Sequence, residues 1–284
     1  MKIPTITFLG LCLFASLSLA ESVKLSNASS KTVVADYLQG TNNANPIVIL
    51  HGFLQTNEFS TVSRLATALH DSGNTVLNPT LSLGLSNRKQ SLSCEAIHTH
   101  SLASDADELK LWINWLHKKT GRPVTIIGHS AGGPVILKYM QDNNAKFIDR
   151  TILISLSYYA SGPTATETRA HAETALKAIN SGSNPLDSYS LNYCKTYPTY
   201  ASAFLSYYNW NKAKVSSVVG QFNERISVIL GTDDKRIDSD WQQQLREKNN
   251  NIILIEGANH FFDQTYEFDL MDAIEELLTE KMKR

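Results

Sequence analysis

The chain has 284 residues, 42% of them apolar and 19% charged, and a formal net charge of −1. That length suits one large α/β domain with an insertion, and the composition is an ordinary soluble one. The balance of charge leaves no electrostatic footprint for nucleic acid, and no internal repeat is visible.

The N-terminus reads as a secretory signal peptide over residues 1–20. Lys2 gives the positive end, Ile3 to Leu19 is apolar, and Ser18-Leu19-Ala20 fits a small-residue cleavage site near Ala20. The run is too short and too weakly flanked for a stable membrane anchor. Leu11, not a small residue, precedes Cys12, which argues against lipidation. An exported chain, periplasmic or secreted, is therefore expected, with residues 21–284 as its mature domain.

Residues 21–30 are rich in Ser and Asn and are expected to be disordered. Thr32 to Tyr37 reads as a strand. Ile47 to Leu50 reads as a buried strand that ends in His51-Gly52-Phe53. Phe59, Val62, Leu65, Ala66 and Leu69 recur at helical spacing, and Gly73 ends that helix. Thr75 to Leu77 is a short strand cut by Pro79. Residues 80–100 form a long loop holding Arg88, Cys94, His98 and His100; loops of this length are usually functional or tied down. No Cys, Asp or His cluster near the two histidines completes a metal site, so they are expected to pack or to lie at the surface. Ser104-Asp105-Ala106-Asp107 looks like a capping box for a helix running to Lys119, stopped by Gly121 and Pro123. Trp112 lies on its apolar face and is expected in the core.

Val124 to Ile127, mostly apolar and β-branched, suits a buried parallel strand. Gly128-His129-Ser130-Ala131-Gly132 follows, and then an apolar run that reads as a helix. This is G-x-S-x-G between strand and helix, a nucleophile elbow. The turn forces a strained backbone on Ser130, and Gly128 and Gly132 leave room for it. Thr151 to Ile154 is the next strand. Residues 157–212 then hold eight of the 11 tyrosines, interrupted by Gly and Pro into what read as short helical pieces. Tyrosine offers apolar area with a polar tip, which suits a partly wet pocket lining. Ile226 to Leu230 is a strand followed by Gly231-Thr232-Asp233-Asp234. Asp238 to Lys248 reads as a helix. Ile252 to Ile255 is a strand followed by Glu256-Gly257-Ala258-Asn259-His260, and Glu267 to Met282 is the last helix.

Nucleophile, acid, histidine is the chain order of the α/β-hydrolases. From about residue 31 to 282 the chain resembles that superfamily. The resemblance implies a mostly parallel central sheet flanked by helices, with a cap inserted over residues 157–212 after the strand that follows the nucleophile helix. It implies Ser130 as nucleophile, His260 as base and an aspartate as its orienting partner. Related sequences commonly carry Gly-x-x-Asp after this strand, which points to Asp234, with Asp233 the rival. The N–H groups of Phe53 and Ala131 would form the oxyanion hole, and His51 would order the loop beside it. A dehalogenase of this fold needs a carboxylate where Ser130 stands. The Gly followed by bulky Phe53 is similar to lipase-like, longer-acyl enzymes.

The implied activity is a serine hydrolase cleaving carboxylic or thio-esters through an acyl-enzyme, without a cofactor, on a small-molecule or lipid-like ester. Two alternatives stand beside it. An aminopeptidase of the same fold would need acidic residues to hold a free amine; Glu167 and Glu173 are available but lie in a helix that reads as exposed. A catalytically silent binding protein is the other, since fold does not imply function. Signal cleavage leaves Cys94 and Cys194, an even count in an oxidising compartment, and a disulfide between the long loop and the tyrosine-rich segment is expected. The sequence carries no signature of oligomeric state.

Overall fold

A computed structural model describes residues 20–237 and 240–280. The signal-peptide expectation for residues 1–20 therefore falls almost wholly outside the described residues.

In chain order the elements are β1 (Glu21–Ser26), β2 (Thr32–Leu38), β3 (Ile47–Leu50), α1 (Ser60–Asp71), β4 (Val76–Thr80), α2 (Leu102–Thr120), β5 (Val124–His129), α3 (Gly132–Asn143) and β6 (Ile148–Ile154). Then come α4 (Ala165–Asn180), β7 (Leu186–Leu191), β8 (Cys194–Tyr200), α5 (Ala201–Tyr208), α6 (Lys212–Gln221), β9 (Ile226–Gly231), α7 (Trp241–Arg246), β10 (Ile252–Ile255) and α8 (Tyr266–Thr279). Eight strands form one sheet in the order β1-β2-β4-β3-β5-β6-β9-β10. From β4 to β10 every pairing is parallel, while β1 and β2 add an antiparallel edge.

The strands alternate their side chains between two cores, as period-two geometry requires. Ile47 and Ile49 of β3 face Leu65 and Leu69 of α1 and Ile274 of α8. Val48 and Leu50 face the opposite core, with Trp112 and Leu116 of α2 and Ile136 of α3. Trp112 is fully buried. Both faces of the sheet are thus covered, which is why β3 reads as an unbroken apolar run and β5 and β9 as mostly apolar ones. Because β3, β5, β9 and β10 run parallel, their C-terminal ends lie along one edge of the sheet. The four strand-end segments singled out in the sequence are brought together there.

Four local expectations are corrected. Residues 21–26 are not disordered: β1 pairs along its whole length with β2, from Glu21 opposite Tyr37 to Ser26 opposite Thr32. A polar composition is compatible with an edge strand that exposes one face. Pro79 does not cut its strand. It sits in β4 opposite Ala35 of β2, beyond the point where β3 stops pairing at Leu77, so one side of the strand there needs no donor. The capping box of α2 lies three residues earlier than expected: Ser101 is the N-cap, Ser104 its reciprocal partner, and Asp105 is buried instead. The insertion after β6 is not a set of short helical pieces; it holds the 16-residue α4 and an antiparallel β7–β8 hairpin.

The expected covalent tie is present. Cys94 in the long loop and Cys194 at the start of β8 form a disulfide with their Cα atoms 5.4 Å apart. His98 reinforces it. Its N–H donates to Pro198 O at 2.8 Å, its carbonyl accepts from the Thr199 hydroxyl at 2.6 Å, and its ring stacks on Tyr197 at 4.0 Å. His98 and His100 are both buried packing residues of this seam.

Candidate active site

Ser130 has a φ of +54°, a left-handed backbone that an L-residue adopts only under constraint. The neighbouring glycines show why the turn can close. A Cβ on Gly132 would lie 2.5 Å from His51 O, and one on Gly128 would lie 2.3 Å from Ile136 Cδ1. Ser130 is the hinge between β5 and α3, and the Ala131 N–H stands at the positive end of that helix.

Ser130 Oγ lies 2.8 Å from His260 Nε2, and His260 Nδ1 lies 2.7 Å from Asp234 Oδ2. The other Asp234 oxygen accepts the Arg236 N–H at 2.9 Å. Asp234 and His260 are buried. The rival Asp233 is exposed and pairs with Lys235 at 3.3 Å, away from the histidine. Of the two aspartates, Asp234 is therefore the one within reach of His260.

Phe53 follows β3 and lines the same cleft as Ser130. A Cβ on Gly52 would come within 3.4 Å of Ser130 Cβ, so this loop runs close beside the hydroxyl. His51 shapes it. Its Nδ1–H donates to Gly52 O at 2.8 Å, and its Nε2 accepts the Leu81 N–H at 3.1 Å. Burial, with the nearby Arg88 charge, lowers its pKa to about 3, so the ring is neutral, as an accepting Nε2 requires.

Several supporting residues carried no role in the sequence analysis. Gln55 Oε1 accepts the Gly52 N–H at 3.0 Å. Arg88, buried, donates to Gln55 O and Leu81 O, both at 2.6 Å, and so braces the loop that carries Phe53. Ser155 Oγ and His129 Nε2 both donate to the carbonyl of His260, at 2.8 and 3.0 Å, and fix the backbone of that residue. His129 packs beside Phe59 and Phe261; burial lowers its pKa to about 3 and keeps it neutral. A Gly-His-Ser pattern locates His129, but only the fold reveals what its ring holds.

A cleft of roughly 570 Å³ opens over Ser130 and His260. Phe53, Gln55, Phe261 and Arg236 line it from the sheet side, and Ser157, Ser161, Asn192 and Tyr193 from the insertion. Tyr193 is the one tyrosine among its described lining residues. Tyr158, Tyr159, Tyr189, Tyr197 and Tyr207 are buried instead, and Tyr159 and Tyr197 pack around Phe53. The tyrosines therefore mostly pack the insertion to the sheet. Glu167 and Glu173 lie exposed on α4 and do not line the cleft.

Glu108 of α2 is buried and accepts from both the N–H and the hydroxyl of Ser82, at the head of the long loop. Burial raises its pKa to about 7. A carboxyl raised in the fold and normal when unfolded keeps its proton longer in the folded state. Its contribution is complete below the unfolded value near 4.5 and is lost as pH climbs to about 7. Urea unfolding should show a fall in stability of about 2–3 kcal/mol across that window, at about 1.4 kcal/mol per pH unit. Glu108→Gln should remove most of this slope; an equal slope in the variant would contradict it.

The chain belongs to the alpha/beta hydrolase family, whose sequence profile matches residues 47–268. No curated protein matches it by sequence. Among solved structures it is similar to the alpha/beta hydrolase GrgF from Penicillium sp. sh18, with a TM-score of 0.70 and 11% identity over 94% of this chain and 100% of that one. It is similar also to Est1E from Butyrivibrio proteoclasticus with ferulic acid bound, TM-score 0.66 and 15% identity over 92% and 100% of the two chains. A monoacylglycerol lipase from Paleococcus ferrophilus gives a TM-score of 0.60 and 16% identity over 87% and 98%. At these identities the likeness is one of fold. Among the described residues no helix is long and apolar enough to cross a membrane.

Proposed function

We propose that this protein is a serine hydrolase of carboxylic or thio-esters, with Ser130 as nucleophile, His260 as general base and Asp234 as its orienting carboxylate. The observation that carries the reading is the unbroken relay from Ser130 Oγ through His260 to Asp234, at 2.8 and 2.7 Å, at the floor of an open cleft. A serine hydroxyl alone is a poor nucleophile and needs a base within hydrogen-bond reach. As Ser130 Oγ bonds to the carbonyl carbon, its proton passes to His260 Nε2. The oxyanion is held by the N–H groups of Ala131 and Phe53, each worth about 3 kcal/mol in the transition state. The imidazolium then protonates the departing alcohol or thiol, and water, deprotonated by His260, releases the acid from the acyl-enzyme.

Residues 157–212 serve in this reading as a cap over the cleft. Among the described lining residues there is no carboxylate to hold a free amine, so the aminopeptidase alternative finds no support here. Names of structural neighbours that include an esterase and a monoacylglycerol lipase are compatible with ester substrates. The reading includes export, which the Cys94–Cys194 disulfide supports. The mature chain should begin near Glu21, and N-terminal sequencing that returns Met1 would refute this.

A fluorophosphonate probe should label the wild-type protein and not Ser130→Ala, and p-nitrophenyl esters of graded acyl length should be hydrolysed by the first only. Equal labelling and equal ester rates from both proteins would overturn the proposal and favour a silent binding protein.

A further inference from the structure

Two cations and, among the described residues, no carboxylate line the cleft over Ser130, in a chain whose net charge is only −1. Lys235 and Arg236 line it immediately after Asp234. Lys235 has an exposed partner in Asp233. Arg236 is different. Its backbone N–H is committed to Asp234, but its guanidinium makes no ion pair or hydrogen bond with any described residue. It lies instead over the ring of Phe261, 4.7 Å from the centroid, and Phe261 lines the same cleft directly after His260. Its charge is also felt on the far wall, where it opposes the burial-driven rise in the pKa of Tyr193. Stacking thus orients a planar cation over the histidine side of the cleft and leaves its donors uncommitted.

A second observation points the same way. Ser157, just beyond β6, lines the cleft and is 3% exposed, yet its hydroxyl has no hydrogen-bond partner among the described residues. A buried unpaired hydroxyl is unfavourable, and a bound acceptor would relieve that cost. Two neighbouring oxygens are already engaged: Ser161 Oγ donates to Tyr158 O at 2.6 Å, and Gln55 Oε1 accepts from Gly52. The cleft therefore presents an unmatched guanidinium and an unmatched hydroxyl, both able to donate, to whatever occupies it.

Resting on the ester-hydrolase reading, we propose that the preferred substrates are esters that bear a free carboxylate. Arg236 forms the ion pair with that carboxylate, and the Ser157 hydroxyl donates to a further acceptor on the same molecule. A planar guanidinium takes a carboxylate through two parallel hydrogen bonds, which selects geometry as well as charge.

The test compares matched esters on the full exported protein. In the acyl arm, p-nitrophenyl pentanoate is set against the p-nitrophenyl monoester of glutarate. In the alcohol arm, phenyl pentanoate is set against 4-carboxyphenyl pentanoate. The carboxylated member of at least one pair should have the higher kcat/KM, by about tenfold and mainly through KM, and the advantage should shrink in 1 M salt. Arg236→Gln should cut the ratio of carboxylated to neutral kcat/KM about tenfold, Arg236→Lys should retain part of it, and Ser157→Ala should lower it several-fold. Because each variant is its own reference on the neutral ester, a general loss of folded protein leaves the ratio unmoved. Turnover of neutral esters with no carboxylate preference in either arm, or a ratio unchanged in Arg236→Gln, overturns this proposal alone. No turnover of any ester and no fluorophosphonate labelling overturns the hydrolase reading, and this proposal with it.

Discussion

Asp234→Asn should lower kcat on any ester the protein turns over by about 10⁴-fold, while Asp233→Asn should leave it within about twofold. The size follows from the role of the orienting carboxylate in serine triads, where the amide preserves shape but favours the wrong imidazole tautomer. Asp234 is buried and 2.7 Å from His260 Nδ1, so the amide would face that nitrogen with no water to compensate. Asp233 is exposed and spends its charge on Lys235, an ion pair of the kind that contributes little. Ser130→Ala should be at least as severe as Asp234→Asn. Single-turnover rates with intact circular-dichroism spectra would check the ranking. Comparable losses in the two aspartate variants would remove Asp234 from the relay.

Loss of the Cys94–Cys194 bridge should be the largest stability effect of any surface-loop change. The bond spans 100 residues, and closing such a loop stabilises by up to about 4.7 kcal/mol in the chain-entropy model. The His98 seam persists without it, so Cys94→Ser with Cys194→Ser should lose about 3 kcal/mol and lower Tm by roughly 6–12 °C. Substrate selection should loosen before chemistry fails, because the relay lies on the sheet while the bridge ties down the β7–β8 hairpin, whose turn carries Asn192 and Tyr193 into the cleft. Paired melts with and without reductant, beside ratios of kcat/KM across acyl lengths, give the readout. An unchanged Tm, or two alkylatable thiols in the wild-type protein, would contradict it.

The strands that end in His51-Gly52-Phe53, Ser130, Asp234 and His260 were legible because each signal is local. A run of β-branched residues followed by a glycine-bearing turn defines a parallel strand and its C-terminal end within about ten residues. Chain order then named Ser130 and His260, and these are the side chains found 2.8 Å apart. The choice between Asp233 and Asp234 was different. Adjacent residues on a turn share composition and spacing, and only the direction of each side chain against β10 separates them.

What the tertiary structure decided depends on partners far along the chain. Glu21–Ser26 is a strand because β2 supplies its ladder, and Pro79 is tolerated because β3 ends beside it. The β7–β8 hairpin forms from Tyr-rich residues whose rings pack around Phe53 and His98, groups about 100 residues or more away. Arg88 and Ser155 gain their roles from carbonyls that only the folded chain presents to them. Sequence alone determined the parallel strands, the elbow and the types of the residues gathered at the strand ends, since short-range sterics and hydrophobic period set those. The fold decided which polar groups are paired and which are left open at the cleft, because hydrogen bonding in the interior is settled by neighbours that are distant in sequence.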